Sequence, residues 1–168
     1  MSDLEVIIVQ AQKGDAERMI HLHFDAVHQG ANNFYAQALL DSWSPMPSPS
    51  RYEWMRDTLL SRLHLVLVAE NKREICGFVI CSLSDGFIQA LYVDPQFSGR
   101  GIGKSLLSSA EGYLIRTGIS VAKLKSSNNA VNFYKSAGYR VMGPTTQKLN
   151  DGTEMNCYEM QRTLATTA

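Results

Sequence analysis

The stretch Leu91-Tyr92-Val93-Asp94-Pro95-Gln96-Phe97-Ser98-Gly99-Arg100-Gly101-Ile102-Gly103-Lys104-Ser105-Leu106 changes character at its middle. Before it, Phe87–Val93 is an apolar, strand-like run. It ends at Asp94, because the residue preceding a proline is pushed out of the helical region. After it, Ile102, Leu106, Ala110, Tyr113 and Leu114 recur at helical spacing as far as Gly118. Between the two, glycine stands at every second position, 99, 101 and 103. Such a turn bends tightly and keeps side chains away from a ligand, so that successive N–H groups point into one concavity. The helix that starts there adds its positive end. The whole is an anion cradle suited to a pyrophosphate.

Two common phosphate motifs do not fit it. A dinucleotide fingerprint, G-x-G-x-x-G, needs a glycine where Lys104 stands. A P-loop, G-x-x-x-x-G-K-[ST], ends well on Gly103-Lys104-Ser105 but needs a glycine where Ser98 stands, and no apolar strand ends in a magnesium-binding aspartate. A helix start with no ligand is common for one glycine but not for three in five residues, since each costs conformational entropy.

Outward from this centre the chain reads as α+β. Residues 6–9 form a strand and 16–28 a helix carrying Met19, Ile20, His23, Phe24 and Val27 on one face. Residues 32–41 suggest a short helix, 44–50 a loop because of its three prolines, and 51–62 another helix. Residues 63–69, 75–83 and Phe87–Val93 make an antiparallel meander. Then come a strand at 119–124, a helix at 128–137 closed by Gly138, and a strand at 139–142. Asn150-Asp151-Gly152 turns into a last strand near 155–160. With 168 residues and no repeat, one domain over 1–168 is expected.

The bulk numbers exclude several partners. Sixteen basic residues balance sixteen acidic ones, so no global field draws nucleic acid or an acidic membrane. No apolar stretch reaches membrane length, and the start, Met1-Ser2-Asp3-Leu4-Glu5, lacks the features of a secretory signal. Three cysteines without metal spacing point to a reduced, cytoplasmic protein. Cys76 and Cys81 read as small buried hydrophobes. His21, His23 and His28 lack a further ligand, so no metal site is expected. Trp43 reads as lining a pocket and Trp54 as core.

Gln96-x-x-Gly99-x-Gly101 after Val93-Asp94-Pro95 resembles the acyl-CoA signature of the GNAT superfamily of N-acetyltransferases. Ser127-Asn128-Asn129-Ala130-Val131-Asn132-Phe133-Tyr134-Lys135-Ser136-Ala137-Gly138-Tyr139 resembles that family's second signature, A-x-x-F-Y-x-x-x-G-[FY]. The two stand in the family's order, one helix and one strand apart. Tyr35, Trp43 and the loop that follows resemble a bacterial subgroup of the same family.

The resemblance implies a mixed, mostly antiparallel sheet split by a V-shaped opening between two parallel strands, with helices on both faces. It implies acetyl-CoA as cosubstrate and no metal. The pantetheine arm pairs with main-chain groups of Leu91, Tyr92 and Val93 and meets Ser127 and Asn129. The pyrophosphate lies on Gln96, Ser98, Gly99, Arg100, Gly101, Ile102, Gly103 and Lys104, where Arg100 and Lys104 either add charge or are a solvated helix start. A small-molecule or peptide amine attacks the thioester directly, with no acyl-enzyme. Tyr134 matches the family's proton donor, its alternative being a packing role. Many relatives carry a carboxylate or histidine on the strand before the cradle. Here Phe87 and Gln89 hold the corresponding positions, so the general base is missing and Gln89 is left to order a water chain. Tyr35, Trp43 and Gln89 are the expected acceptor contacts. A monomer or homodimer is expected. The competing reading is a non-catalytic acyl-CoA-binding sensor, favoured by the missing carboxylate and opposed by Tyr134.

Overall fold

The computed structural model describes residues 4–165; the acidic start Met1-Ser2-Asp3 lies outside them. The chain runs β1 (Val6–Gln10), α1 (Ala16–Gly30), α2 (Gln37–Trp43), α3 (Pro49–Leu60), β2 (His64–Asn71), β3 (Glu74–Ser82) and β4 (Phe87–Val93). It continues through α4 (Ile102–Arg116), β5 (Val121–Ser127), α5 (Val131–Ser136), β6 (Arg140–Lys148) and β7 (Glu154–Thr163). The seven strands form one sheet in the order β1-β2-β3-β4-β5-β7-β6. Every pairing is antiparallel except β4 with β5.

Helices cover both faces, which explains why the central strands are apolar without alternation. Along β2, Leu65, Leu67 and Ala69 meet Leu106, Leu107, Ala110 and Leu114 of α4 on one face. Val66 and Val68, between them, meet Met19 and Ile20 of α1 and Met55 of α3 on the other. The α4 helix sits tightly on β3: a Cβ on Gly77 would lie 2.9 Å from Leu106 Cδ1 and 3.1 Å from the Tyr92 carbonyl. Its outer end is fixed by Glu111, buried, which accepts from the Tyr139 hydroxyl at 2.9 Å and from Arg162 at 2.9 and 3.0 Å.

The parallel pair decides the architecture. Although β4 and β5 have seven residues each, only Phe87↔Lys123 and Ile88↔Leu124 are in register. Beyond Ile88 the two strands separate, and the sheet opens into the expected split. On its other side β4 stays paired with β3 through Val79↔Leu91 and Gly77↔Val93.

Several elements differ from the sequence reading. The proline loop is shorter than 44–50, because Pro49 is the first residue of α3, where its missing N–H costs nothing and its φ suits a helix. Ser48 caps that helix by accepting the N–H of Arg51. The helix expected over 32–41 is α2, and it starts only at Gln37, because Phe34 and Tyr35 both turn back to bond the Ala31 carbonyl. Ile119 is not strand: its N–H bonds Leu114 and completes the C-terminal cap of α4 after Gly118. Residues 128–130 are a 3-10 turn ahead of α5. The strand expected over 139–142 runs on to Lys148 through Pro144, which is tolerated because β6 is an edge strand. Trp54 is not core; it is 56% exposed, while its neighbour Met55 takes the buried position.

Candidate active site

The glycine turn lies at the open end of β4. Asp94, buried, accepts the N–H of Gln96 at 2.9 Å and is held from α1 by Arg18. This fixes the exit of the strand. Gly99 and Gly101 have φ of +77° and +80°, in the left-handed region. No atom stands within 4 Å of where a Cβ on either would lie. Gly101 is the N-cap residue of α4. Gly103 has another use: a Cβ there would meet the Phe133 ring at 3.3 Å, so its absence lets α5 approach α4. Arg100 rests over the Phe97 ring at 5.8 Å and, like Lys104, is exposed.

A cavity of about 690 Å³ runs from the split into the α1–α3 side of the sheet. Leu91, Ser127, Ala130 and Tyr134 line the end nearest the split. Phe87, Gln89 and Tyr92 of β4 line the middle. Trp43, Arg51 and Trp54 close the far side, with the hairpin residues 147–150 opposite. Of the residues expected in the site, Tyr134, Gln89, Leu91, Tyr92, Ser127 and Trp43 therefore line one cavity. The turn from Gln96 to Lys104, and Val93 and Asn129, lie outside it, around the mouth of the split.

Tyr134 is 7% exposed, packed edge-on against Phe133 and Tyr139, and its hydroxyl forms no hydrogen bond among the described residues. Burial, then the neighbouring Tyr92 and Cys81, push its pKa well above the ordinary tyrosine value. It stays a protonated donor at neutral pH with no protein partner. Asn129 likewise has a buried Oδ1 with no partner. A buried polar atom left unpaired is costly, so Asn129 points to a group arriving from outside the chain, while the Tyr134 hydroxyl is open to the cavity.

Gln89 donates an amide N–H to His64 Nε2 at 3.2 Å, and His64 Nδ1 meets Ser61 Oγ at 3.2 Å. With its NH₂ so engaged, Gln89 keeps its carbonyl oxygen for the cavity. His64 was not legible as a neighbour of Gln89, because it is the first residue of β2, two strands away. Trp43 donates its indole N–H to the Tyr92 hydroxyl at 3.2 Å. Burial pushes the Tyr92 pKa up to about 12 against a small lowering by that bond.

Tyr35 is elsewhere than expected. It does not line the cavity. Its hydroxyl donates to the Asn156 carbonyl at 2.7 Å and accepts the Asn128 N–H at 2.8 Å. His23 and His28 clamp the proline loop, while His21 Nε2 meets the Tyr52 hydroxyl at 2.9 Å. Ser44, fully buried, meets His23 Nδ1 through Oγ at 2.7 Å, and its carbonyl accepts His28 Nε2–H at 2.8 Å. Arg51 donates to His23 Nδ1 at 3.2 Å and to the Pro45 carbonyl. Burial first, then Arg51 and His28, lower the His23 pKa to about 3, so it is a neutral Nε2–H tautomer. Among the described residues no group of three or more His, Cys, Asp or Glu is placed to hold a metal, and no helix is long and apolar enough to cross a membrane. Cys76, Cys81 and Cys157 are buried and free, and burial raises the pKa of each, that of Cys81 to about 12.

A sheet split between two parallel strands, with a glycine turn at the end of the first and a helix starting from it, defines the class. The chain belongs to the GNAT superfamily of N-acetyltransferases: residues 27–161 match the acetyltransferase (GNAT) domain. The peptidyl-lysine N-acetyltransferase YjaB of Salmonella typhimurium is 28% identical over 119 residues, 71% of this chain and 70% of its own. A GCN5-related N-acetyltransferase of Rhodopseudomonas palustris shares the fold with a TM-score of 0.85 at 20% identity, covering 98% of this chain and 99% of the other. The PaiA N-acetyltransferase of Thermoplasma acidophilum, solved in complex with coenzyme A, has a TM-score of 0.77 at 20% identity, covering 95% and 99%.

Proposed function

We propose that the chain is one acetyltransferase domain that moves the acetyl group of acetyl-CoA to a primary amine by direct attack in a ternary complex. One observation carries this reading most: the cavity joins the split to a protonated, unengaged Tyr134 hydroxyl. The coenzyme A bound in the PaiA structure supports the choice of cosubstrate.

The residues present fit acetyl-CoA. The backbone from Gly99 to Lys104, free of side chains at its two left-handed glycines, takes the pyrophosphate. Beyond Ile88 no strand pairs with the split side of β4, which leaves main-chain groups around Leu91 and Val93 for the pantetheine amides, with Asn129 Oδ1 as a further acceptor. When bound, the cosubstrate supplies an activated acetyl thioester. A main-chain N–H near Leu91 holds the oxyanion that forms as the amine adds.

An unperturbed alkylamine has a pKa of about 10.4, so it must shed a proton before it attacks. No aspartate or glutamate lines the cavity. Gln89, its NH₂ held by His64, presents a carbonyl oxygen that orients the amine or the water that takes the proton. The departing thiolate, with a conjugate acid near pKa 8.5, takes a proton from Tyr134.

The test is release of free CoA thiol from acetyl-CoA with and without amines. Amine-dependent release, with the acetylated amine identified by mass, is the expected result. Tight acetyl-CoA binding with no turnover on any amine favours instead the sensor reading, which the missing carboxylate supports.

A further inference from the structure

The cavity has one sign of charge on its walls. Arg51, Lys125 and Lys148 line it, from α3, β5 and the end of β6, and no carboxylate does. Arg51 is half-buried, and burial lowers the pKa of its guanidinium. The ion pairs among the described residues are Arg18–Asp94 and Arg162–Glu111, so Arg51 has no carboxylate partner. A cation withdrawn from water without a counter-ion is costly. Its contacts, Pro45 carbonyl, His23 Nδ1 and Ser44 Oγ, are neutral and occupy three of the five guanidinium N–H groups, which leaves two. Ser50, on the first turn of α3, lines the same wall and adds the positive end of a twelve-residue helix. Around this group the walls are aromatic: Trp43, Trp54, Phe87 and Tyr92.

We infer that the acceptor is a small-molecule amine that also carries a carboxylate, with Arg51 as the carboxylate-binding residue and Lys148 as a weaker second cation. The inference rests on the acetyltransferase reading above and narrows its substrate class. A free guanidinium N–H donates a charge-assisted bond to a carboxylate oxygen. An apolar body between amine and carboxylate suits the aromatic walls. The same field opposes polyamines, whose extra charges find no carboxylate to meet.

The experiment compares amines matched except for the anion: leucine with leucinamide, phenylalanine with phenylalaninamide, and 4-aminobutyrate with butylamine. Spermidine and a lysine-containing peptide complete the set, and acetyl-CoA binding is measured separately by calorimetry. The carboxylate members are expected to have kcat/KM at least about tenfold above their partners. Arg51→Gln should reduce that ratio to below about threefold. Arg51→Lys should restore part of it. Because Arg51 also holds the proline loop, Lys148→Gln, at an exposed position, is the second variant, with a smaller loss of the same ratio and an unchanged Tm. Equal or better use of the amides, preference for spermidine or the peptide, or no turnover of any carboxylate amine overturns the inference. In each case retained acetyl-CoA binding leaves the cosubstrate reading standing, and its loss removes both.

Discussion

The hydroxyl of Tyr35 accepts the backbone N–H of Asn128 at 2.8 Å, although the two residues lie 93 positions apart. The same hydroxyl donates to the Asn156 carbonyl. One phenol therefore ties the segment after α1 to β7 and to the turn that carries Asn129. The residue expected to touch the acceptor instead holds the chain beside the split.

Tyr35→Phe removes both bonds and leaves the Asn128 N–H without its partner. A loss of about 1–3 kcal/mol is expected, read as a Tm lower by roughly 2–10 °C. The KM for acetyl-CoA should rise several-fold, since Asn129 is adjacent. Unchanged Tm and KM together would show the bridge to be dispensable.

Gly101→Val tests the cradle. Space is free around that position, so the cost to the fold is backbone strain at a φ of +80°, about 1–2 kcal/mol. The variant should stay folded and lose CoA binding in a calorimetric titration. Normal affinity in the folded variant removes the turn from the phosphate site.

Tyr134→Phe deletes a hydroxyl with no protein partner, so packing against Phe133 and Tyr139 should survive. If the hydroxyl protonates the departing thiolate, kcat falls by about 10²–10⁴-fold with acetyl-CoA affinity nearly unchanged. The defect should shrink with an acyl donor of a more acidic thiol. Near-normal kcat on a confirmed amine makes Tyr134 a packing residue.

Trp43→Phe keeps an aromatic wall but removes the 3.2 Å bond to Tyr92. The amine KM should rise more than the acetyl-CoA KM. A parallel rise in both assigns Trp43 to folding.

His23 makes stability pH-dependent with a definite sign. Its folded pKa, about 3, lies below its ordinary 6.5. Between those values the unfolded chain binds a proton that the folded protein does not. Its contribution is complete above pH 6.5 and falls as pH drops toward 3, by up to about 1.4 kcal/mol per unit. Urea unfolding at pH 7.0, 6.0 and 5.0, where most carboxylates remain ionised, should show this slope in the wild type and a flatter one in His23→Gln. Equal slopes would place the protonation elsewhere.

Local signals were legible where the chain makes its own structure. The strand Phe87–Val93 ends before Pro95, the glycines demand a left-handed turn, and the four-residue spacing from Ile102 writes α4; each rests on neighbours within a few positions. The proline loop shows where such reading stops. Pro49 breaks a helix interior but starts one well, and only its place after the capping Ser48 tells which. The strand read over 139–142 runs on through Pro144, whose missing N–H on an edge strand leaves no ladder bond unmade. Trp54 looked like core because tryptophan usually is, but the helix turns Met55 inward at that level.

By itself the sequence determined most of the α+β elements, the apolar strands and the glycine cradle, written in local spacing and backbone preference, while Tyr134 as candidate donor rested on the resemblance to the GNAT signature. Tertiary structure alone decided that β4 and β5 pair at just two positions and then part. It also decided that Arg51, Lys125 and Lys148 line one cavity without a carboxylate, that His64 holds Gln89, and that Tyr35 faces Asn128. Contacts between residues so distant in the chain have no period and no neighbour to announce them. They exist only once burial of both faces of the sheet has brought those elements together.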